Sequence, residues 1–170
     1  MPLTPFHLGP GLFLGSLTLR FFNLWAILLG SIVMDIEPAV LLIIYRCYHC
    51  PHHAFFHSIF GAIVGSLILA AILWRFREKL DKISLKFKIS QSFSFPVLFF
   101  SSLAGWILHI FFDSLTHFDV FPFWPSEYNP IFIGPEIYWT LHLILLIFGI
   151  AGLLIFIKTK RSLKQDAKNN

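Results

Sequence analysis

The chain has 170 residues, enough for one domain, of which 56% are hydrophobic and only 13% charged, with a mean hydropathy of +0.74. That balance excludes an ordinary soluble domain and indicates a multi-pass membrane protein, in which 21 phenylalanines suit a lipid-facing surface. The net charge of +4 does not call for a nucleic-acid partner, because the basic residues collect in one loop and in the C-terminal tail, a signature of membrane topology.

In chain order, the N-terminus MPLTPFHLGPG carries three prolines and His7 instead of a basic region, so no cleavable signal peptide is expected. Arg20 then interrupts an apolar region from Leu8 to Met34, leaving two pieces that each fall short of the roughly 20 residues a crossing needs. Either this region is one long helix with Arg20 inside it or near an interface, or it is a helical hairpin that turns at Arg20. Asp35 and Glu37 follow, and apolar residues resume after Pro38 to about Tyr45. Cys47 and Cys50 form a C-x-x-C pair among His49, His52 and His53, compatible with a redox pair or a zinc knuckle, though one such pair is a weak signal.

Three stretches read as spanning helices: Ala54 to Trp74, Phe95 to Phe112, and Ile137 to Ile157. The fold expected is therefore all-α, a multi-pass transmembrane helical bundle with three clear spanning helices plus the N-terminal hairpin or long helix. Residues 1–157 form a single helical membrane domain, and residues 158–170 a basic, flexible cytoplasmic tail.

Between the first two spans lie Arg75, Arg77, Lys79, Lys82, Lys86 and Lys88, and the tail adds Lys158, Lys160, Arg161, Lys164 and Lys168. Both regions are expected on the cytoplasmic side of an inner membrane. The segment from Asp113 to Glu136 has no lysine or arginine and is rich in aromatic residues, which puts it at the extracytoplasmic interface. With three alternating crossings, His53, His57, His109 and Asp113 come out on that same face. Asp35 and Glu37 join them, as does His7 if the N-terminal region is a hairpin.

The chemistry concentrates in LHIFFDSLTHFDVFPFWP, from Leu108 to Pro125. His109 and Asp113 are four apart and share a helix face, as do His53 and His57 in HHAFFHS, so each pair can present two groups to one ion. Asp35 and Glu37 add oxygen donors. Imidazole with carboxylate suits zinc, manganese or iron, as one ion or two. Ionisable groups in a membrane segment are costly unless paired, hydrated or bound to metal. The plainer alternative is a helix cap in which His109 and Asp113 bond each other. His117 and Asp119 lie beyond the expected helix end; His142 lies inside the last span, where a hydrogen-bonded packing role competes with a place at the site.

The motifs TPFHLGPGL, GSIVMDIEP, HHAFFHS and LHIFFDSLTHFDVFPFWP, with the following NPIFIG, resemble a family of predicted membrane-bound metal-dependent hydrolases. This is the LexA-binding, inner-membrane-associated (YdjM-like) group with its archaeal relatives, and the likeness extends to about Gly134. The resemblance implies His7, Asp35, His53, His57, His109 and Asp113 as metal ligands. Two departures stand out: Met34-Asp35-Ile36-Glu37 replaces Pro-Asp-x-Asp, and His52-His53-Ala54 replaces His-Arg-Gly, leaving either His52 or His53 as the equivalent ligand. Helical spacing favours His53.

The leading expectation is a metal-dependent hydrolase using metal-activated water at the membrane interface. Asp35, Glu37 or Asp119 would be the general base, the ion most simply zinc, and membrane lipid or another amphipathic phosphoester the partner and substrate. The alternatives are a non-catalytic membrane protein with a structural metal or a polar His/Asp site, and a metal or proton transporter. Transport is disfavoured because only His142 and Arg20 approach the bilayer midplane.

Overall fold

In the computed structural model, which describes residues 4–44, 46 and 55–169, the N-terminal apolar run breaks at Arg20. Helix α1 (Leu8–Leu17) ends where Thr18 Oγ1 donates to the Leu14 carbonyl at 2.7 Å. After an exposed turn, α2 (Leu24–Gly30) begins where the Asn23 side chain accepts from Ala26 N at 3.1 Å, a helix N-cap. Gly11 lies against Ser31 and Gly15 against Leu24, so the two helices are antiparallel. Of the two readings of this region, the hairpin is the one observed. At about 1.5 Å per residue the arms are about 15 and 10 Å long, well short of a hydrocarbon core about 30 Å thick.

A short 3-10 turn (Val33–Asp35) leads into α3 (Ile36–Ile43), and another (Phe55–His57) precedes α4 (Ile59–Arg75). Ser58 caps α4 by accepting from Gly61 N at 3.0 Å, so the helix starts later than its apolar composition suggests. It ends at Phe76, where the chain bends by 76° into α5 (Arg77–Lys86). Then come α6 (Phe95–Thr116), a loop, a 3-10 turn (Pro135–Ile137) and α7 (Tyr138–Asn169), which carries the basic tail as a continuation of the helix.

Two segments, Phe95–Thr116 and Pro135–Lys160, are long and apolar enough to cross a membrane, and a third qualifies only if α4 and α5 count as one bent span. The expectation of three clear spanning helices is thus met by two. The capping serine and the bend at Phe76 leave α4 with 17 residues.

Helices in lipid gain little from burying apolar surface against each other and associate instead where small residues allow close approach. The α2–α6 pair follows this rule. Asn23 N donates to Ser101 Oγ at 2.8 Å, a Cβ on Gly105 would run into the Ile27 carbonyl, and the Ser31 carbonyl meets His109. These contacts keep a constant sequence offset, so α2 and α6 run parallel in register, and Ser101, Gly105 and His109 descend α6 one per turn. On the other side of α6, the Trp106 ring lies over Gly65 of α4, in a core with Leu69, Ala70, Leu98 and Ile110. Gly9 brings α1 against the Leu145 carbonyl of α7. The outward faces stay apolar, for example Ile147, Ile150 and Leu154 on α7, as lipid contact requires.

At the end of the bundle opposite His109, polar contacts fix the start of α2. Leu24 N donates to Gln91 Oε1 at 2.9 Å, Asn23 Nδ2 to the Ser92 carbonyl at 2.9 Å, and Trp25 Nε1 to Ser84 Oγ of α5 at 2.7 Å.

Candidate metal centre

Three short turns and one long helix bring the ionisable residues to one end of the bundle. His7 closes the 3-10 turn Thr4–His7 just before α1, Asp35 closes the turn before α3, and His57 closes the turn before Ser58 and α4. His109 and Asp113 lie one turn apart on α6. Asp35 stands next to the first residue of α3, where unpaired N–H groups favour a carboxylate. Trp106 Nε1 donates to the Phe56 carbonyl at 2.8 Å and so ties the His57 turn to α6.

Both central imidazoles are held by their Nδ1 atoms. His109 Nδ1 donates to the Ser31 carbonyl at 2.7 Å, and His57 Nδ1 faces Glu37 Oε2 at 3.4 Å. Glu37 Oε2 is itself fixed by Phe56 N, which donates to it at 3.1 Å. An acceptor on one ring nitrogen sets the tautomer and aims the lone pair of the other, the arrangement found around metal-bound histidines. The Nε2 atoms then face the same two carboxylates. His57 Nε2 is 3.6 Å from Asp35 Oδ1 and 3.8 Å from Asp113 Oδ2, and His109 Nε2 is 3.2 and 2.9 Å from the same oxygens.

Asp35, His57, His109 and Asp113 thus offer four ligand atoms within 4.8 Å of one another, a group that can hold a metal ion. Ligands about 2.0–2.1 Å from a shared zinc-like ion stand about 3.3–3.4 Å apart at the corners of a tetrahedron. The four nitrogen–oxygen separations bracket that edge, so these donors are spaced on the scale of a small divalent cation's ligands. Charge points the same way, because two carboxylates brought together out of water are costly unless a cation or protonated partners balance them.

His7 stands outside the group of four, on the other oxygen of Asp113. Its Nε2 is 3.2 Å from Asp113 Oδ1, its ring stacks on that of His109 with centroids 3.9 Å apart, and its Nδ1 makes no hydrogen bond among the described residues. Burial, reinforced by the neighbouring His109, pushes His7 below the usual histidine value and favours the neutral ring that a ligand must be. His7, His57, His109 and Asp113 are buried, whereas Asp35 is 10% and Glu37 16% exposed, so the cluster reaches the surface on the side of α3.

The remaining expectations fare differently. His53, its alternative His52, and the Cys47–Cys50 pair lie outside the described residues. His57 is not on a helix face: it precedes the Ser58 cap, so the helical i, i+4 pairing with His53 does not apply to it. Glu37 supports His57 rather than joining the four ligand atoms. Asp119 is half-buried in the loop after α6 and is not one of the four. His142 bonds the Tyr138 carbonyl at 2.8 Å and meets the Phe6 ring edge-on, in keeping with a packing role. The Ser31 carbonyl was not foreseeable from side-chain chemistry, since any residue supplies one. Ser58 is a residue type that caps helices, and on that signal His57 belongs in a turn.

A family model described as YdjM inner membrane protein matches residues 1–166. No curated protein and no solved structure matches the chain.

Proposed function

The chain belongs to the YdjM inner membrane protein family, and from this premise and the buried cluster we propose that it is a membrane-embedded metal-dependent hydrolase. The observation that carries the reading is the pair of Nδ1 anchors, Ser31 carbonyl and Glu37, which turn two Nε2 atoms toward the Asp35 and Asp113 carboxylates. Such anchoring is of little use to a helix cap and of direct use to a ligand set. Asp35, His57, His109 and Asp113 would hold the ion, and imidazole with carboxylate suits zinc first, then manganese or iron. His7 and the second oxygen of Asp113 offer donors for another ion. A divalent cation held there supplies Lewis acidity and acidifies water, the chemistry of hydrolysis.

The chain's own residues would do the rest. Asp35, partly exposed, reaches the open side and is the better placed proton acceptor; Glu37 is engaged with His57, and Asp119 is the third candidate. We further propose that α4, α6 and α7 make three crossings and that the α1–α2 hairpin enters the bilayer and returns. The basic residues of α5 and of the tail would then lie in the cytoplasm, which puts the cluster at the extracytoplasmic interface. A site at headgroup depth fits a phosphoester or lipid-like substrate.

A second reading, a structural metal or polar site, draws on the burial of His57, His109 and Asp113. Metal analysis of purified protein tests both. Wild type is expected to retain about one divalent ion per chain, and His109→Ala and Asp113→Asn to lose it. A cobalt-substituted spectrum is expected to report a five-coordinate ion, water bound beyond the four protein ligands, whereas a closed four-ligand spectrum would favour the structural reading. Metal-free wild type, or unchanged metal in both variants, removes the site altogether.

A further inference from the structure

A groove of about 450 Å³ runs between α3 and α4. Its α4 wall, Gly65, Ile68, Leu69 and Ile72, recurs at i, i+3, i+4, i+7, a single stripe down the helix. On the opposite wall stand Val33, Glu37 and Val40, at i, i+4 and i+7, so a stripe that is apolar but for Glu37 faces the α4 stripe across the groove. At its head, every element that supplies one of the four candidate ligands also supplies a wall residue. Met34 precedes Asp35, Phe56 precedes His57, Trp106 lies one turn before His109, and Glu37 belongs to both.

We propose that this groove binds the single alkyl chain of an amphipathic phosphoester, with the phosphoester head at the Glu37 end, beside the cluster. Three observations select that occupant. The groove lies within the usual range for ligand sites, about 300–1,000 Å³, and its volume would hold only about one turn of a helix about 10–12 Å across with its side chains. Among the described residues Glu37 is the one charged residue of the lining, so an apolar body with its polar part at one end matches the groove and a uniformly polar ligand does not. Ile68 and Ile72, at its mouth on α4, are 52% and 50% exposed, so a chain can enter sideways from the bilayer. Hydrolysis of the head rests on the function proposed above; binding of the chain does not.

The test uses full-length protein in phosphatidylcholine vesicles and a 1-palmitoyl lysophosphatidylglycerol carrying a diazirine halfway along its chain. On illumination, label is expected on Val40, Leu69 and Ile72. It should saturate, be displaced by unlabelled lysophosphatidylglycerol and by palmitate but not by glycerol phosphate, and fall by about tenfold in Val40→Phe, which fills the groove away from the cluster. Ile68→Phe, at an exposed position that folding tolerates, is the companion variant. Label spread over the outward faces of α6 and α7, without saturation or displacement, overturns the proposal. Metal content measured on the same preparations keeps the two ideas apart. Saturable labelling of wild type that proves metal-free leaves the groove standing without the hydrolase, and metal-loaded protein with unsaturable labelling does the reverse.

Discussion

His57 and His109 come from different parts of the chain, yet each gives its Nδ1 to an acceptor and its Nε2 to the same pair of carboxylates. For His109 the acceptor is a backbone carbonyl, which no substitution at Ser31 removes. For His57 it is the side chain of Glu37, and that makes the arrangement testable. Replacing a group that orients a metal-bound histidine costs about 10–100-fold in metal affinity. Glu37→Gln, which keeps the shape and loses the charge, should fall at the lower end, and Glu37→Ala, which also abandons Phe56 N, at the upper end. Competition against a chelator measures both. Affinity unchanged in the two variants would mean that the Glu37 contact does not support a metal ligand. The His109–Asp113 pair on α6 was legible in the sequence because it is local: four residues on one helix fix a shared face whatever surrounds them. Glu37 was legible as a carboxylate near the site but not as the partner of His57, because that pairing is made by two turns packing together, and spacing along the chain carries no trace of it.

At the scale of elements, what positions His109 is the stripe of Ser101 and Gly105 that lets α2 lie parallel against α6. A methyl group on Gly105 would strike the Ile27 carbonyl, which is backbone and cannot swing aside. Gly105→Ala is therefore expected to cost about 1–3 kcal/mol by overpacking. Because Ser31 ends the α2 segment that would be pushed away, metal affinity should fall with it. The thermal unfolding midpoint in detergent and a metal titration check the two halves. A lowered midpoint with intact metal affinity would show that the α2–α6 contact stabilises the bundle without setting the site. From composition α6 could be read to within about a turn of its end and α7 over its apolar part, but not the continuation of α7 through the basic residues to Asn169. The hairpin could be read only as one of two options, since the choice turns on Thr18 and Asn23 ending and starting helices on either side of Arg20. Helix α4 was overestimated at its start, where Ser58 outweighs the apolar run.

For the molecule as a whole, the cluster and the basic surface lie at opposite ends of the same helices. His57 precedes α4 and Arg75 ends it, about 25 Å away along 17 residues. The hairpin is pinned at the basic end by Ser84, Gln91 and Ser92, and at the other by the His7 and Ser31 contacts, so its depth is fixed at both ends. The positive-inside rule then orients everything at once: if α5 is cytoplasmic, the cluster faces out. A cysteine scan decides this. In a background with Cys47→Ser and Cys50→Ser, single cysteines at the exposed positions Ser126, in the loop beyond α6, and Lys82, on α5, are treated with a membrane-impermeant maleimide in intact spheroplasts. Ser126→Cys is expected to react at once and Lys82→Cys only after the membrane is opened. The opposite result would turn the bundle over and put the candidate metal ligands on the cytoplasmic side. A lipid-like substrate of the kind proposed would then have to reach the cluster from the inner leaflet, and eleven basic side chains would face outward against the charge bias of inner-membrane proteins.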